Sequence, residues 1–324
     1  MKTTIPHKNQ RFSAGQAKIK VVGVGGSGSN AVSRMMKNKI QGVDLIAINT
    51  DAQDLKKAQA DFKLQIGKKI TDGLGAGMNP RIGQLAAQES KNEIREILKD
   101  ADLIFVTCGL GGGTGTGAAP VVAEISKNLG ALTITVVTKP FSFEGIPRRN
   151  IAEKGLERLK DRTDSLIIIS NDKLLQMVDD KTSVFSAFWL CDEILREGVQ
   201  GISDLITIPG IVNIDFADLR TIMANSGSAL LGIGKGRGEK KIEEAINSAL
   251  FSPLLENTHW QGGKALLFNI SGHDLSLSEV NETANLITKH LSHRAKVIFG
   301  TVENKTLEKE EIKLLVFITG LRKG

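Results

Sequence analysis

The 324-residue chain is 41% hydrophobic and 24% charged and contains seven prolines, a composition typical of a soluble globular protein. Its 42 basic and 36 acidic side chains leave a net charge of +6, concentrated most visibly between Lys2 and Lys20. We expect that segment to be a solvated arm, with attachment to a surface as the alternative, and we expect no nucleic-acid partner. Cys108 and Cys191 are too few for a disulfide framework or a zinc site. Without a signal peptide or a membrane-spanning run, the expected location is the cytoplasm.

Short apolar runs rich in β-branched residues alternate with helical patterns over the first half of the chain. The runs occupy residues 18–24, 43–50, 102–108, 131–139 and 164–170. Strands that are apolar on both faces and are separated by helices predict a buried parallel sheet. The expected fold class is therefore α/β, with a Rossmann-like parallel sheet in the first domain.

The pattern changes beyond residue 182. Residues 186–207 carry an apolar stripe at helical spacing, formed by Phe188, Cys191, Leu195, Ile202 and Ile206. This stripe predicts a long central helix. Gly198 and Gly201 within it each cost about 1 kcal/mol relative to alanine, which a helix buried between two lobes could absorb. From residue 226 strand-like runs recur and predict a second, smaller α/β domain.

Three glycine-rich stretches, residues 23–30, 71–80 and 109–118, lie beside these strands and helices. In an open parallel sheet, ligands bind at the carboxyl ends of the strands, where helix N-termini present free N–H groups. One such loop suits a dinucleotide, whereas three converging loops suit a triphosphate held by backbone N–H groups, with hydroxyls from Thr114 and Thr116 and with Mg²⁺. No G-x-x-x-x-G-K-[ST] motif occurs, which excludes a P-loop nucleoside triphosphatase.

The first loop alone fits a second class of enzyme. It contains G-x-G-x-x-G at Gly23, Gly25 and Gly28, and Asp51 ends the second strand where dinucleotide-binding folds hold a ribose hydroxyl. A nicotinamide-dependent dehydrogenase is therefore an alternative. It leaves the second and third loops unexplained.

Several longer stretches follow one another in a specific order: VVGVGGSGSNAV, AINTDAQ, GLGAGMNP, GGGTGTG, VVTKPFSFEG, ISNDKLL, GVQGISDLITIPG, NIDFADLR and SPLLE. Together they resemble the tubulin/FtsZ GTPase superfamily, and bacterial FtsZ within it, from about residue 18 to residue 320. The resemblance implies a self-assembling GTPase that binds GTP or GDP. It also implies head-to-tail polymerisation into protofilaments, which form the cell-division ring at the division site.

The resemblance assigns residues to each part of a GTP site. The phosphate loops correspond to Gly25, Gly26, Asn30, Gly75, Ala76, Gly77, Gly111, Gly112, Gly113, Thr114, Gly115 and Thr116. Glu144 and Arg148 correspond to ribose and phosphate contacts, with a surface ion pair as the alternative. Asn171 and Asp192 correspond to the pair that reads guanine, and Phe188 to the residue that stacks on the base. The helical pattern alone makes Phe188 a core residue instead.

The stretch NIDFADLR contains the catalytic residues that the resemblance implies, Asn213, Asp215 and Asp218. From the residues alone, Asn and Asp near a helix start are ordinary capping residues. The resemblance implies instead that these side chains enter the GTP site of the next subunit and polarise the attacking water. Mg²⁺ is expected to be held mainly by phosphates and water. A filament former that hydrolyses GTP poorly stays as an alternative, because Met78 stands where the family often has alanine.

The implied division of the chain has four parts: a basic arm at 1–17, a GTP-binding domain at 18–184, the central helix and the start of the catalytic loop at 185–214, and a C-terminal domain at 215–324. The sequence stops at FITGLRKG and lacks the linker and terminal peptide by which membrane-adaptor division proteins dock in the family. We therefore expect a shortened chain, with a natural protein that anchors to the membrane differently as the alternative. The adaptors remain expected partners whose docking peptide is missing from this sequence.

Overall fold

The computed structural model describes residues 17–38, 40, 42–175, 182–207, 214–250, 263–289, 291 and 295–321. Asn213 and nearly all of the basic arm lie outside the described residues. The described strands are β1 (Ile19–Val24), β2 (Val43–Asn49), β3 (Phe62–Gln65), β4 (Leu103–Gly109), β5 (Leu132–Lys139), β6 (Ser165–Ser170), β7 (Gly227–Arg237), β8 (Ala265–Gly272), β9 (Lys296–Glu303) and β10 (Glu311–Thr319).

Twelve α-helices accompany these strands in the described residues. They are α1 (Gly25–Lys37), α2 (Ala52–Lys57), α3 (Lys68–Thr71), α4 (Pro80–Glu89), α5 (Lys91–Leu98), α6 (Thr114–Asn128), α7 (Ile146–Lys160), α8 (Asn171–Leu175), α9 (Val184–Thr207), α10 (Phe216–Met223), α11 (Lys241–Leu250) and α12 (Leu277–Thr288). None of these described helices has the length and hydrophobicity needed to cross a bilayer.

The first six strands form the predicted parallel sheet, in the order β3-β2-β1-β4-β5-β6. The winding direction reverses between β1 and β4, which is the switch point where open α/β sheets bind ligands. Strand β6 pairs in parallel with the start of β7, and β10, β8 and β9 follow. Strand β10 is antiparallel to both β7 and β8, whereas β9 is parallel to β8, so the second unit is a mixed sheet that continues the first.

Two features of the first unit differ from the sequence pattern. Strand β3 was not predicted, because it has only four residues, FKLQ, which are exposed or half-buried and do not form a continuous apolar run. The sequence over residues 81–100 has one continuous helical pattern. In the structure this segment is interrupted at Ser90, which ends α4 and precedes α5. The Ser90 hydroxyl accepts a hydrogen bond from Gly67 N at 3.2 Å, so the break holds the connection that leads into α3.

Helix α9 lies between the two parts of the sheet, as its apolar stripe predicts. Leu195, Val199 and Ile202 are buried in a core cluster shared with Phe105 of β4 and Phe317 of β10. The two units are therefore joined by one continuous hydrophobic core on this face of the sheet.

The two glycines inside α9 have a packing role. A Cβ on Gly198 would lie 2.7 Å from Cδ2 of Leu231, and a Cβ on Gly201 would overlap Leu315. Both glycines therefore let a leucine of the second sheet pack directly against the helix backbone. This contact offsets the cost of glycine in a helix.

Strand β7 carries a second glycine pattern. Gly232, Gly234 and Gly236 alternate along one face of the strand, and a Cβ on any of them would overlap a backbone carbonyl oxygen of α11. A backbone oxygen cannot rotate away as the end of a side chain can. Glycine at this spacing is therefore what allows α11 to lie directly on the strand.

We expect Gly234→Ala to lower the free energy of unfolding by about 1–3 kcal/mol, because the added methyl group must push α11 away from β7. Lys235→Ala is the matched control, since Lys235 is exposed on the opposite face of the same strand. Its expected effect is less than about 0.5 kcal/mol. Denaturant unfolding of both variants measures the difference. Equal stabilities would mean that α11 does not press on Gly234.

Candidate functional site

The switch point brings the first and third glycine loops together. Helix α1 begins at Gly25 directly after β1, and α6 begins at Thr114 shortly after β4. Gly25 has a φ of 73°, and a Cβ on it would lie 2.9 Å from the backbone nitrogen of Gly115. Among the described residues, no side chain caps the start of either helix. Two such helix N-termini present N–H donors and partial positive charge at one point, which suits a phosphate group.

The second glycine loop packs against the third. The backbone nitrogen of Gly113 donates to the carbonyl oxygen of Gly77 at 2.8 Å. Gly75 and Gly77 have φ values of 86° and 55°, in the left-handed region that favours glycine. A Cβ on Gly113 would lie 2.7 Å from the carbonyl oxygen of Ala76. The structure thus brings the residues assigned to the three phosphate loops to one edge of the sheet.

Gly112 differs from the glycines around it. Within the described part of the chain, nothing lies within 4 Å of the position that its Cβ would occupy. Its neighbour Gly113, in contrast, is closed in by the second loop. We call the space bordered by the three glycine loops and by the residues assigned to the base the crevice. The backbone of Gly112 faces open space at its edge, where a ligand can approach it.

The threonine hydroxyls of the third loop are engaged inside the protein. Thr114 Oγ1 lies 2.6 Å from Thr50 Oγ1, and Thr116 Oγ1 accepts a hydrogen bond from the backbone nitrogen of Gly111 at 2.9 Å. Thr116 is fully buried and Thr114 nearly so. In the described structure these hydroxyls hold the loop in shape.

The residues assigned to the base lie at the start of α8 and in the first half of α9. Asn171 is buried, and within the described residues its Oδ1 atom has no hydrogen-bond partner. An unpartnered buried amide oxygen indicates a group that a ligand can satisfy. Phe188 is 41% exposed and packs edge-to-face on Phe141 at 5.1 Å. The interpretation of Phe188 as a core residue is therefore wrong, because its ring is open to a ligand.

Asp192 is buried, and among the described residues Arg34 is the cation that bonds it. Its Oδ2 atom accepts a hydrogen bond from Nε of Arg34 at 3.0 Å. Burial raises the pKa of the Asp192 carboxyl to about 6, although the hydrogen bond and charge of Arg34 act to lower it. The carboxylate is therefore mostly ionised at neutral pH and becomes protonated in mild acid.

Glu144 and Arg148 form an ion pair with each other. The Oε1 atom of Glu144 also accepts a hydrogen bond from the backbone nitrogen of Phe141 at 2.9 Å. The main chain of Arg148 lies beside the third loop, 3.1 Å from the position of a Cβ on Gly111. The ion pair that the sequence left open is present, and it lies at the rim of the crevice.

The two described residues assigned to catalysis stand at the start of α10. Asp215 is the N-cap residue, and its Oδ1 atom accepts a hydrogen bond from the backbone nitrogen of Ala217 at 3.2 Å. Asp218 lies in the first turn, and both carboxylates are exposed. The capping role that the residues alone predict is thus present for Asp215. Asp218 caps nothing among the described residues.

Helix α10 lies at the opposite end of the parallel sheet from the glycine loops. Arg220 donates to the carbonyl oxygen of Gly130, which precedes β5, at 3.0 Å. The hydroxyl of Ser165, the first residue of β6, donates to the carbonyl oxygen of Met223 at 2.9 Å. Strand β5 has 8 residues, so at about 3.3 Å per residue roughly 26 Å of sheet separate the two ends.

Both cysteines are buried near the crevice. Cys108 ends the buried part of β4, and burial raises the pKa of its thiol to about 12. Burial, with the neighbouring charge of Asp192, raises the pKa of the Cys191 thiol to about 12 as well. Both thiols are therefore protonated at neutral pH and behave as inert buried groups.

Two carboxylates lie against the first and second loops. Asp51 Oδ2 is 3.6 Å from the position of a Cβ on Gly75, and Asp54 Oδ2 is 3.9 Å from the position of a Cβ on Gly26. Over the described residues, no group of three or more His, Cys, Asp or Glu side chains could hold a metal ion. Oxygen donors at the edge of a phosphate site fit a Mg²⁺ ion that keeps phosphate and water ligands.

Arg34 and Thr50 contact predicted site residues but were not predicted themselves. Arg34 lies four residues after Asn30, so helical spacing could have placed it on the same face of α1. Thr50 directly follows β2 at the carboxyl edge of the sheet, where ligand-binding residues concentrate.

Comparison with known proteins identifies the same two units. The model of the tubulin/FtsZ family GTPase domain matches residues 18–179, and that of the FtsZ family C-terminal domain matches residues 227–322. Cell division protein FtsZ 1 of Thermococcus kodakarensis is 53% identical over 306 residues, which are 94% of this chain and 81% of that protein.

Solved structures agree with these matches. The empty FtsZ dimer of M. jannaschii has a TM-score of 0.90 and 47% identity, over 94% of this chain and 88% of its own. The GTPγS-bound protofilament of CetZ2 from Haloferax volcanii has a TM-score of 0.78 and 20% identity over 95% and 94% of the two chains, a likeness of fold alone.

These matches exclude the dehydrogenase alternative, because both units of the chain correspond to the two domains of one family. The first unit is a tubulin/FtsZ GTPase domain. The match of the second unit is specific to FtsZ. The chain therefore belongs to the FtsZ family of tubulin-like GTPases.

Proposed function

We propose that this chain polymerises head to tail, hydrolyses GTP where two subunits meet and forms the cell-division ring. One observation carries the proposal. The glycine loops lie at the carboxyl ends of the parallel strands, whereas Asp215 and Asp218 lie at the amino ends. A reaction that needs both groups has to take them from two molecules.

The nucleotide is bound along the crevice from α1 to α9. The N–H groups at the starts of α1 and α6 and in the second loop hold the phosphates, because these donors need no reorganisation to meet an anion. Asn171 and Asp192 bind the edge of guanine, and Phe188 stacks on its face. A carboxylate accepts from the N1 and N2 donors of guanine, which adenine does not present. Glu144 and Arg148 contact the ribose and the phosphates.

Hydrolysis uses residues of both subunits. Asp215 and Asp218 of one subunit, with Asn213 outside the described residues, orient and polarise a water molecule beside the γ-phosphate held by the next. The glycine-loop N–H groups stabilise the negative charge that develops on the phosphoryl oxygens. A Mg²⁺ ion bound with the phosphates would neutralise part of the same charge, and Asp51 and Asp54, which lie against Gly75 and Gly26, would hold its water ligands.

The contact between subunits is heterologous, because a nucleotide surface meets a catalytic surface. Such a contact does not close on itself and generates a filament. The solved relatives include an FtsZ dimer of M. jannaschii and a CetZ2 protofilament. We extend this mode of assembly to the present chain, with the division site as its location and membrane-adaptor division proteins as further partners.

The first test concerns the phosphate loops. We expect Gly112→Ala to weaken GDP binding at least tenfold, about 1.4 kcal/mol, because its methyl group fills the space where a phosphate oxygen would meet the backbone. The free energy of unfolding should change by less than about 0.5 kcal/mol, since the space around Gly112 is open. Isothermal titration with GDP and denaturant unfolding measure the two effects. Unchanged GDP affinity would contradict the assignment of this loop.

Gly113→Ala is the matched comparison at the next position. Its methyl group would lie against the carbonyl oxygens of the second loop, so we expect it to lower stability as well as binding. The pair separates a ligand contact at Gly112 from a packing contact at Gly113.

The second test concerns the shared site. We expect GTP hydrolysis per protomer to appear only above a threshold protein concentration, and to fall by about 10²–10⁴ in Asp218→Ala while GTP binding is retained. Asp218 is exposed, so the substitution leaves the fold intact. Phosphate release measured across protein concentrations gives the answer. A rate per protomer that is constant at all concentrations would mean a self-contained site.

Mixing the two impaired variants, at a GTP concentration that leaves Gly112→Ala mostly unbound, sharpens this test. Asp218→Ala keeps its glycine loops, and Gly112→Ala keeps its catalytic carboxylates. An interface between the loops of the first and α10 of the second contains both intact halves. We expect the mixture to hydrolyse GTP faster than the sum of the rates that the two variants show alone. A rate equal to the sum of the separate rates would contradict catalysis between subunits.

A further inference from the structure

Arg34 connects the base end of the crevice to helix α1. Its Nε atom donates to Oδ2 of Asp192 at 3.0 Å, and its guanidinium carbon lies 5.4 Å from the centre of the Trp189 ring. Arg34 and Asp192 are largely buried, whereas Trp189 is 44% exposed. We call these three residues the arginine clamp. It joins α1, which starts at the phosphate loops, to α9, which carries Phe188.

The geometry of the ion pair leaves part of the carboxylate available. Arginine often binds both oxygens of a carboxylate with two parallel hydrogen bonds. Here, among the described residues, Arg34 bonds only Oδ2 and uses only Nε. The stacking of the guanidinium on Trp189 favours this position of Arg34. Oδ1 is then the oxygen that remains for a ligand, and its orientation is set by the bond at Oδ2.

The charge of Asp192 depends on the same contact. Burial raises the pKa of Asp192 to about 6 with Arg34 in place. Among the described residues, no other neighbouring group supplies a positive charge to Asp192. Glu193 and Glu144 are acids that pair with Arg196 and Arg148, and the Cys191 thiol stays protonated. Without Arg34, the pKa of Asp192 would therefore lie higher still.

We propose that Arg34 is a positioning residue for guanine recognition: stacked on Trp189, it holds Asp192 ionised and oriented so that Oδ1 accepts from the base. The inference rests on the proposed role of Asp192 in reading guanine. Arg34 itself does not have to touch the nucleotide. The clamp makes guanine selectivity depend on pH, because a protonated carboxyl can no longer accept two hydrogen bonds from N1 and N2.

Nucleotide affinity measured against pH tests the clamp. Isothermal titration of the full chain with GDP, from pH 5 to pH 9, should show affinity falling as the pH drops below about 6, where Asp192 becomes protonated. In Arg34→Ala, we expect the midpoint of this fall to move up by about 1–3 pH units, because an opposite charge at bonding distance lowers a carboxyl pKa by that amount. At pH 7 the variant should therefore bind GDP several-fold more weakly than the wild type, and the difference should shrink towards pH 9.

Three further variants separate positioning from a structural effect. Arg34→Lys keeps the charge and should return the midpoint most of the way to that of the wild type. Trp189→Ala should move it in the same direction as Arg34→Ala, by less. Lys37→Ala, at the exposed end of the same helix, should leave the midpoint unchanged. A merely structural loss would weaken GDP binding equally at every pH and would not respond to the lysine substitution.

ADP and Asp192→Asn distinguish failure of the clamp from failure of the base assignment. If Asp192→Asn retains the preference for GDP over ADP, Asp192 does not read the base and the underlying assignment is wrong. If Asp192→Asn loses the preference but Arg34→Ala keeps the midpoint of the wild type, the clamp alone is wrong. Tighter GDP binding by Arg34→Ala would also overturn it, since Arg34 would then compete with the base for Asp192.

Discussion

Contact between backbones is the constraint on which the nucleotide crevice depends. Gly25 lies against Gly115, and Gly113 donates to the carbonyl of Gly77, so three loops meet with no side chain between them. This approach directs the N–H groups of two helix starts into one small volume. The glycines of β7 under α11 use the same physical means for a packing purpose. In both places only a residue without a Cβ permits the contact, and the positions of glycine in the sequence follow from this requirement.

The parallel direction of the first six strands gives the molecule two chemically different ends. Helix N-termini gather at the carboxyl ends of the strands, and α10 with its two exposed carboxylates lies at the amino ends. Helix α9 spans the distance: it carries Asp192 in its first half and ends at Thr207, and with 24 residues it is about 36 Å long. Because α9 is buried against both parts of the sheet, it is a rigid connection between the end assigned to the base and the end proposed for catalysis. In the proposed filament, the polarity would follow from the direction of the parallel strands.

Much of this arrangement could be predicted from the sequence, and the exceptions have physical reasons. The β-branched runs predicted strands β1, β2, β4, β5 and β6 within one residue at each end, because buried parallel strands are apolar on both faces. Strand β3 escaped prediction because an exposed edge strand needs no such pattern. The apolar periodicity of α9 wrongly predicted that Phe188 is a core residue, because a helix that borders a ligand site can expose one member of an apolar stripe. The bond between Arg34 and Asp192 joins residues far apart in the chain, and nothing in the local sequence of either indicates the other.

The distribution of charge explains why the end of the crevice assigned to the base is the part that responds to pH. The three glycine loops contain no lysine or arginine, so phosphates bound there would meet backbone dipoles that do not titrate. The base end, in contrast, contains a buried carboxylate whose pKa lies near 6 and whose charge is balanced by one arginine. A triphosphate brings several negative charges towards this carboxylate, and like charges favour its protonation. Arg34 acts against both this repulsion and the cost of burial. Selectivity for the base can therefore change with pH or with substitution at residue 34 while the phosphate loops keep their shape.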